Sequence, residues 1–284
     1  MDTLAYALLG FFTIGYFVLG GADIGVGMLL PFLGRDRRLT LATIAPFFLG
    51  NEVWLVATGG LLTSLFPGLE DKVFGRTWGA LVVLIVGWIV RDMGLWLRGR
   101  RDESGWRRCW DAATVAGSWA VAASWGVAVG LLMGEGVPLF AVTTCSLFAL
   151  YGAVFAALRL GSAVPRLLAR RLVPVALVAG VPCAVGAGTD HLGRTVPFAA
   201  GLAVLLVLTW LAIGTGRYAA ALAACALAIV VAPLLAAGNI PDATVGEDAS
   251  LTIVVAGAMV PLLVAAQAWV WWTFRGRVEG PSYL

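Results

Sequence analysis

The chain has 284 residues, 61% of them hydrophobic and only 12% charged, with a mean hydropathy of +0.93. Soluble domains carry about 25% charged residues, so the composition excludes a soluble enzyme, a disordered tail and a nucleic-acid binder, and leaves a polytopic membrane protein. A formal net charge of +3, from 19 basic and 16 acidic residues, provides no polybasic surface for nucleic acid.

A helix needs about 20 apolar residues to cross a bilayer. Cut at its charge and turn clusters, the sequence yields nine such segments: Leu4 to Leu33, Leu41 to Phe66, Thr77 to Leu97, Asp111 to Gly134, Pro138 to Leu158, Leu172 to Thr189, Thr195 to Ile213, Tyr218 to Gly238 and Leu251 to Phe274. They are apolar all round instead of alternating, which predicts helices and not barrel strands. The expected fold is an all-α polytopic membrane protein with nine transmembrane helices. Residues 1–284 form one integral membrane domain, divided into 1–138, which holds the polar residues, and an apolar helical half, 139–284.

No Lys or Arg precedes the first segment and Asp2 is acidic, so the basic region of a signal peptide is missing and the segment is expected to be retained. Arginines follow the first, third, fifth, seventh and ninth segments: Arg35, Arg37 and Arg38; Arg98, Arg100, Arg101, Arg107 and Arg108; Arg159, Arg166, Arg170 and Arg171; Arg217; Arg275 and Arg277. These are 15 of the 19 basic residues. Lys72, Arg76 and Arg194 lie on the other side with Asp242, Glu247 and Asp248. Because basic residues stay cytoplasmic, the N-terminus is expected outside and the C-terminus inside.

Each charged residue at membrane depth costs roughly 2.5–3.5 kcal/mol on insertion scales unless paired or hydrated. Only the first half carries them: Asp23, Glu52, Arg91 and Asp92. Helix rise places Asp23 about 18 Å from Arg35, Glu52 about 21 Å from Arg38, and Arg91 about 10 Å from Arg98. The two acids therefore come level on adjacent helices, and a single cluster with Arg91 would let the charges compensate. Such a cluster serves either as a structural tie or as a proton-conducting or ligand-contacting site. The Gly21-x-x-x-Gly25 spacing around Asp23 favours close helix approach, and a bend at Gly20 and Gly21 is the alternative use of these glycines.

Trp96, Trp106 and Trp110, and Trp269, Trp271 and Trp272, sit where an interfacial aromatic belt is expected. Trp54, Trp88, Trp119, Trp125 and Trp210 lie deeper and need something to pack against. Cys109 falls in an inner loop, and Cys145, Cys183 and Cys225 fall singly on separate helices, which reads as packing and not as a framework. The one histidine, His191, is expected in an outer loop beside Asp190. No histidine pair is therefore present to clamp a haem, and there is no P-loop, zinc-ligand spacing or Ser-His-Asp set. Any redox chemistry must reside largely in another chain.

The run Gly20-Gly21-Ala22-Asp23-Ile24-Gly25-Val26-Gly27-Met28-Leu29, then Ile44-Ala45-Pro46 and Gly50-Asn51-Glu52-Val53-Trp54-Leu55, resembles subunit II of the cytochrome bd quinol oxidases. Arg91, Trp106-Arg107, Trp110-Asp111, Gly117-Ser118 and Gly136-Val137-Pro138 continue in matching order, so the motifs cover about residues 10–138. The resemblance implies two four-helix bundles plus one extra helix, paired with a homologous subunit I that holds two b-type haems and one d-type haem and oxidises quinol, either menaquinol or ubiquinol, with oxygen as acceptor. Subunit II would bind no haem itself. It would support subunit I, border an oxygen route at Trp54 and Asn51 or contact the partner there, and supply acids to a proton route. A small accessory subunit, lipid or bound quinone, and a location in the bacterial cytoplasmic membrane, are also implied. Here Gly20 replaces the first acid of the family's Asp-Gly-x-Asp, and Phe48 and Leu49 replace its Trp-Asp. Leu49 cannot pass a proton, so a route would run over Asp23 and Glu52, while Asp92 is an acid gained beside Arg91. A secondary transporter, or a scaffold of a diverged bd-like complex without a proton role, are the competing classes.

Overall fold

In the computed structural model the described residues are 2–33, 37–134, 136–186, 192–237, 244–246 and 248–280. The chain forms α1 (Asp2–Leu29), α2 (Arg37–Ala42), α3 (Phe48–Leu65), α4 (Pro67–Leu97), α5 (Ser104–Met133), α6 (Val137–Leu160), α7 (Ala163–Gly186), α8 (Leu192–Gly214), α9 (Tyr218–Ala237) and α10 (Ala249–Thr273), with a 3-10 turn at Arg98–Arg100. No β-strand occurs among the described residues. Eight helices there are long and apolar enough to cross a membrane: α1 and α4 to α10. The chain is therefore a multi-pass membrane protein.

The second predicted segment, Leu41 to Phe66, is broken. Pro46 lacks an N–H and disfavours helical backbone at the residue before it. The chain passes through tight turns there, with Thr43 N–H donating to Thr40 O and Ile44 N–H to Leu41 O, both at 3.1 Å. What remains is the 18-residue α3, which carries Asn51 and Glu52 and falls outside the apolar set.

Several helices also run past their apolar stretches. The α4 helix starts at Pro67, where proline suits a first-turn position with no N–H to satisfy, and it takes in Lys72 and Arg76. Arg107, Arg108 and Cys109 lie on α5, and Arg166, Arg170 and Arg171 on α7, instead of in the predicted loops. Arginine and lysine are good helix formers whose long stems reach water from a helical backbone, so helices extend where hydropathy ends. The four cysteines are free; Cys183 and Cys225 are buried and Cys109 is exposed. Arg35, Asp190, His191, Asp242 and Glu247 lie outside the described residues, as does the side chain of Arg194.

Helix α1 organises the packing. It is continuous through Gly20 and Gly21, without an unwound turn, and every residue from Gly20 to Leu30 is buried. A Cβ at Gly25 would overlap the Phe148 carbonyl oxygen, and one at Gly152 would overlap the Gly25 backbone, so α1 and α6 meet backbone to backbone. Gly27 leaves room for Ser118 of α5, and Gly21 for Ile229 of α9 and Tyr151 of α6. The Tyr151 hydroxyl donates to Val18 O at 2.8 Å, tying the two halves across this seam. Helix α6 is the most enclosed span, 78% buried, and α10 the least, 11% buried.

Three arginines fasten helix ends. Arg98 Nε donates to Asp111 Oδ1 at 2.5 Å while Arg37 Nη1 takes Asp111 Oδ2 at 2.9 Å, joining α2, α4 and α5. Arg159, which is buried, donates to the carbonyls of Phe274 and Gly276 just beyond α10, supplying partners that a helix C-terminus lacks.

Candidate functional site

The four membrane-depth charges converge. Arg91 is near the C-terminal end of α4, and its guanidinium contacts Asp23 of α1 (Nη2 to Oδ1, 3.2 Å), Glu52 of α3 (Nη1 to Oε1, 3.2 Å) and Asp92 beside it (Nη1 to Oδ1, 2.9 Å). The Arg91 and Asp23 side chains are 3% and 5% exposed, Glu52 13% and Asp92 19%, so the cluster grades from fully interior to nearly wet. Close approach here depends on small residues, since a Cβ at Gly117 of α5 would crowd the Arg91 backbone. The Phe48 ring lies 5.9 Å from the guanidinium, within cation–π range.

A second layer of neutral amides completes the site. Asn51 Nδ2 donates to Asp23 Oδ2 at 3.1 Å and to Leu19 O at 2.9 Å, and its Oδ1 accepts from Gln267 Nε2 of α10 at 2.8 Å. The chain Gln267–Asn51–Asp23–Arg91 therefore links four helices. Tyr16, Gly20, Trp88 and Val121 close a small cavity on the cluster, about 10 Å³ in volume, the space of about one water molecule. The Trp88 indole N–H is buried there without a hydrogen-bond partner, and the Tyr16 hydroxyl accepts from Trp125 Nε1 at 3.4 Å.

The other singled-out residues lie apart from this cluster. Trp54 is buried between Phe11 and Phe12, at centroid distances of 5.2 and 5.5 Å, over the surface opened by Gly15. Leu49 is half-exposed on the outer surface of α3 with Val53 and Val56. Trp269 and Trp272 are exposed as interfacial residues should be, but Trp271 turns inward on Phe47. Gln267, Tyr16 and Trp88 were not singled out as site residues from sequence. Gln267 was findable as the lone amide in an otherwise apolar helix.

With a single histidine in the sequence, the chain has no histidine pair to hold a haem between two imidazoles. Among the described residues no group of three His, Cys, Asp or Glu side chains is placed to hold a metal ion. What the site offers is an arginine among three carboxyl groups, beside a water-sized space, inside a helical membrane protein.

Fold and site thus define a polytopic helical membrane subunit with an internal arginine–carboxylate cluster. Residues 1–274 match the family described as cytochrome bd terminal oxidase subunit II, and the chain belongs to that family. It is 37% identical over 136 residues to cytochrome bd-I ubiquinol oxidase subunit 2 of Escherichia coli K12, covering 47% of this chain and 36% of that protein. It is 31% identical over 121 residues to cytochrome bd ubiquinol oxidase subunit 2 of Bacillus subtilis, covering 42% and 36%. The matched stretch thus spans about a third of the curated relatives' length. The fold is that of a chain in the structure of bd oxidase from Geobacillus thermodenitrificans, with a TM-score of 0.74 over 96% of this chain and 97% of that one, at 12% identity.

Proposed function

We propose that this chain is the haem-free subunit II of a bd-type terminal oxidase, a complex that oxidises quinol and reduces oxygen to water in a respiratory chain. The family match over residues 1–274 carries this reading. In it, α3 serves as the ninth crossing, the helices form two four-helix bundles plus one, the N-terminus lies outside and the C-terminus lies in the cytoplasm of a bacterium. The partner is a haem-bearing subunit I, with menaquinol or ubiquinol as donor. The haems supply the electron transfer and oxygen chemistry there, and this chain contributes shape and proton access. A small accessory subunit and bound lipid or quinone complete the complex.

Asp23, Glu52, Arg91 and Asp92 are assigned to proton handling. Three carboxyl groups face one guanidinium, so a proton can be bound or released while Arg91 keeps an anionic partner. The gradation in exposure from Asp92 to Asp23 supplies a direction for that exchange. Asn51 orients Asp23, and Trp54, enclosed by aromatic rings, lines the oxygen route from within the chain.

Asp23→Asn and Glu52→Gln, made singly in the assembled complex, test the assignment by oxygen consumption. Each is expected to lower turnover while assembly and haem spectra stay normal. Full activity in both removes the proton role and leaves a structural tie. The scaffold reading is favoured by Leu49 facing outward and by a cavity with space for only about one water. The visible spectrum tests the oxidase assignment: haem bands in the purified complex and none in the isolated chain are expected, and a complex without haem overturns it.

A further inference from the structure

At the end of the molecule where α6 meets α7 and α8 meets α9, arginines outnumber acids, with Glu279 on the same segment as Arg277. Arg166 Nη2 donates to Gly161 O at 2.9 Å, and the Arg277 guanidinium lies 3.4 Å from where a Gly161 Cβ would stand. Two guanidinium groups thus converge on one glycine whose φ of +64° closes the α6–α7 turn. Arg170 approaches Gly214 and lies 6.0 Å over the Trp210 ring, and Arg166 lies 5.2 Å over Tyr218. Arg171, Arg217 and Arg275 are exposed within two residues of Arg170, Tyr218 and Arg277.

None of these arginines forms a salt bridge among the described residues, in contrast to Arg37, Arg91, Arg98 and Arg107, which all do. The Arg166 Nε–H is buried and has no partner. Like charges drawn together without a counterion raise the energy of the free surface, and planar guanidinium groups present paired donors that fit a phosphate.

Apolar surface adjoins this basic bowl. Val164 and Leu167 on α7 and Trp210 and Leu211 on α8 are 41–56% exposed within a turn or two of the arginines. Tryptophan and tyrosine at such a level mark the membrane–water interface. A free phosphate would use the arginines alone, whereas a phospholipid uses both surfaces, its phosphate on the guanidinium groups and its acyl chains along α7 and α8.

We propose that this bowl binds the phosphate headgroup of an anionic membrane phospholipid, with Arg166 and Arg277 as its central contacts. The inference uses only the membrane character of the chain and is independent of the oxidase reading.

The test uses the full chain in mild detergent, with native mass spectrometry and thermal-shift titration against cardiolipin, phosphatidylcholine and inorganic phosphate. Cardiolipin is expected to bind and to raise Tm, and the other two are not. Arg166→Gln with Arg277→Gln should weaken cardiolipin binding by about fivefold per arginine, roughly 30-fold for the pair. Arg107→Gln, an equal loss of charge at a position paired with Asp102, should leave binding unchanged, and the double lysine variant should recover part of it. Equal losses for Arg107→Gln and the double variant, or undiminished binding in the double variant, overturn the site. Stabilisation by inorganic phosphate at the same concentration overturns the lipid in favour of a soluble anion. Protection of the bowl by a protein chain in the assembled complex, with no lipid retained, also overturns it.

Discussion

Replacing Arg91 with Met removes the one cation from a site that keeps three carboxyl groups within 2.9–3.2 Å of its position. The Arg91 side chain is 3% exposed, so solvent screening does little to soften the loss. Breaking a buried pair by deleting one partner costs about 3–5 kcal/mol, which lowers the folded-to-unfolded ratio by roughly two to three and a half orders of magnitude. Most of that penalty comes from the acids left behind, above all Asp23 at 5% exposure; Asp92, at 19%, has water within reach. The triple variant Arg91→Met, Asp23→Asn, Glu52→Gln should therefore recover more than half of what the single variant loses. Denaturant titration of the detergent-solubilised chain, followed by tryptophan fluorescence, measures both. A loss below about 1 kcal/mol for the single variant, typical of an exposed pair, with no recovery in the triple, would refute a buried cluster held by charge compensation.

Gln267→Leu strands the Asn51 carbonyl oxygen and is expected to cost about 1–3 kcal/mol, read in the same titration; Gln267→Glu should cost no less, because it sets a carboxylate against the Asn51 carbonyl oxygen, two acceptors with no donor between them. Gly25→Ala forces α1 from α6 at a backbone contact and should cost about 1–3 kcal/mol, visible as a lowered Tm. Arg159→Met releases the carbonyls of Phe274 and Gly276, and limited proteolysis should then cut at residues 275–280 faster than in the unaltered chain. Asp111→Asn leaves Arg98 buried with a weakened partner, and a Tm loss exceeding that of exposed Asp102→Asn is expected.

The ionic core was legible in the sequence because a charge in an apolar helix is conspicuous: its cost demands a partner. The helix rise used to set Asp23 level with Glu52 assumed a continuous helix, whereas the chain turns between Ala42 and Phe48, so the partnership was sound and the distance was not. The neutral partners were harder to see. Amide, phenol and indole groups are cheap enough in a membrane helix to carry little signal, so Tyr16, Trp88 and Gln267 emerged only from contacts. Helix ends were misjudged for a related reason, since hydropathy reports where the bilayer stops and not where backbone hydrogen bonding stops. Arg107 and Arg166 are helical beyond that limit. The break before α3 was written in Pro46, which the length of the apolar run outweighed.

The hydrogen bond from Gln267 to Asn51 spans 216 residues of sequence, and that separation has a meaning during synthesis. Helices α1, α3 and α4 emerge early and can bring Asp23, Glu52 and Arg91 together while most of the chain is still unmade. Asn51 must then wait, its carbonyl oxygen unanswered, until α10 leaves the ribosome. Completion of the interior thus waits for α10, and a chain terminated before that helix would carry within the lipid a polar defect that membrane quality control can recognise.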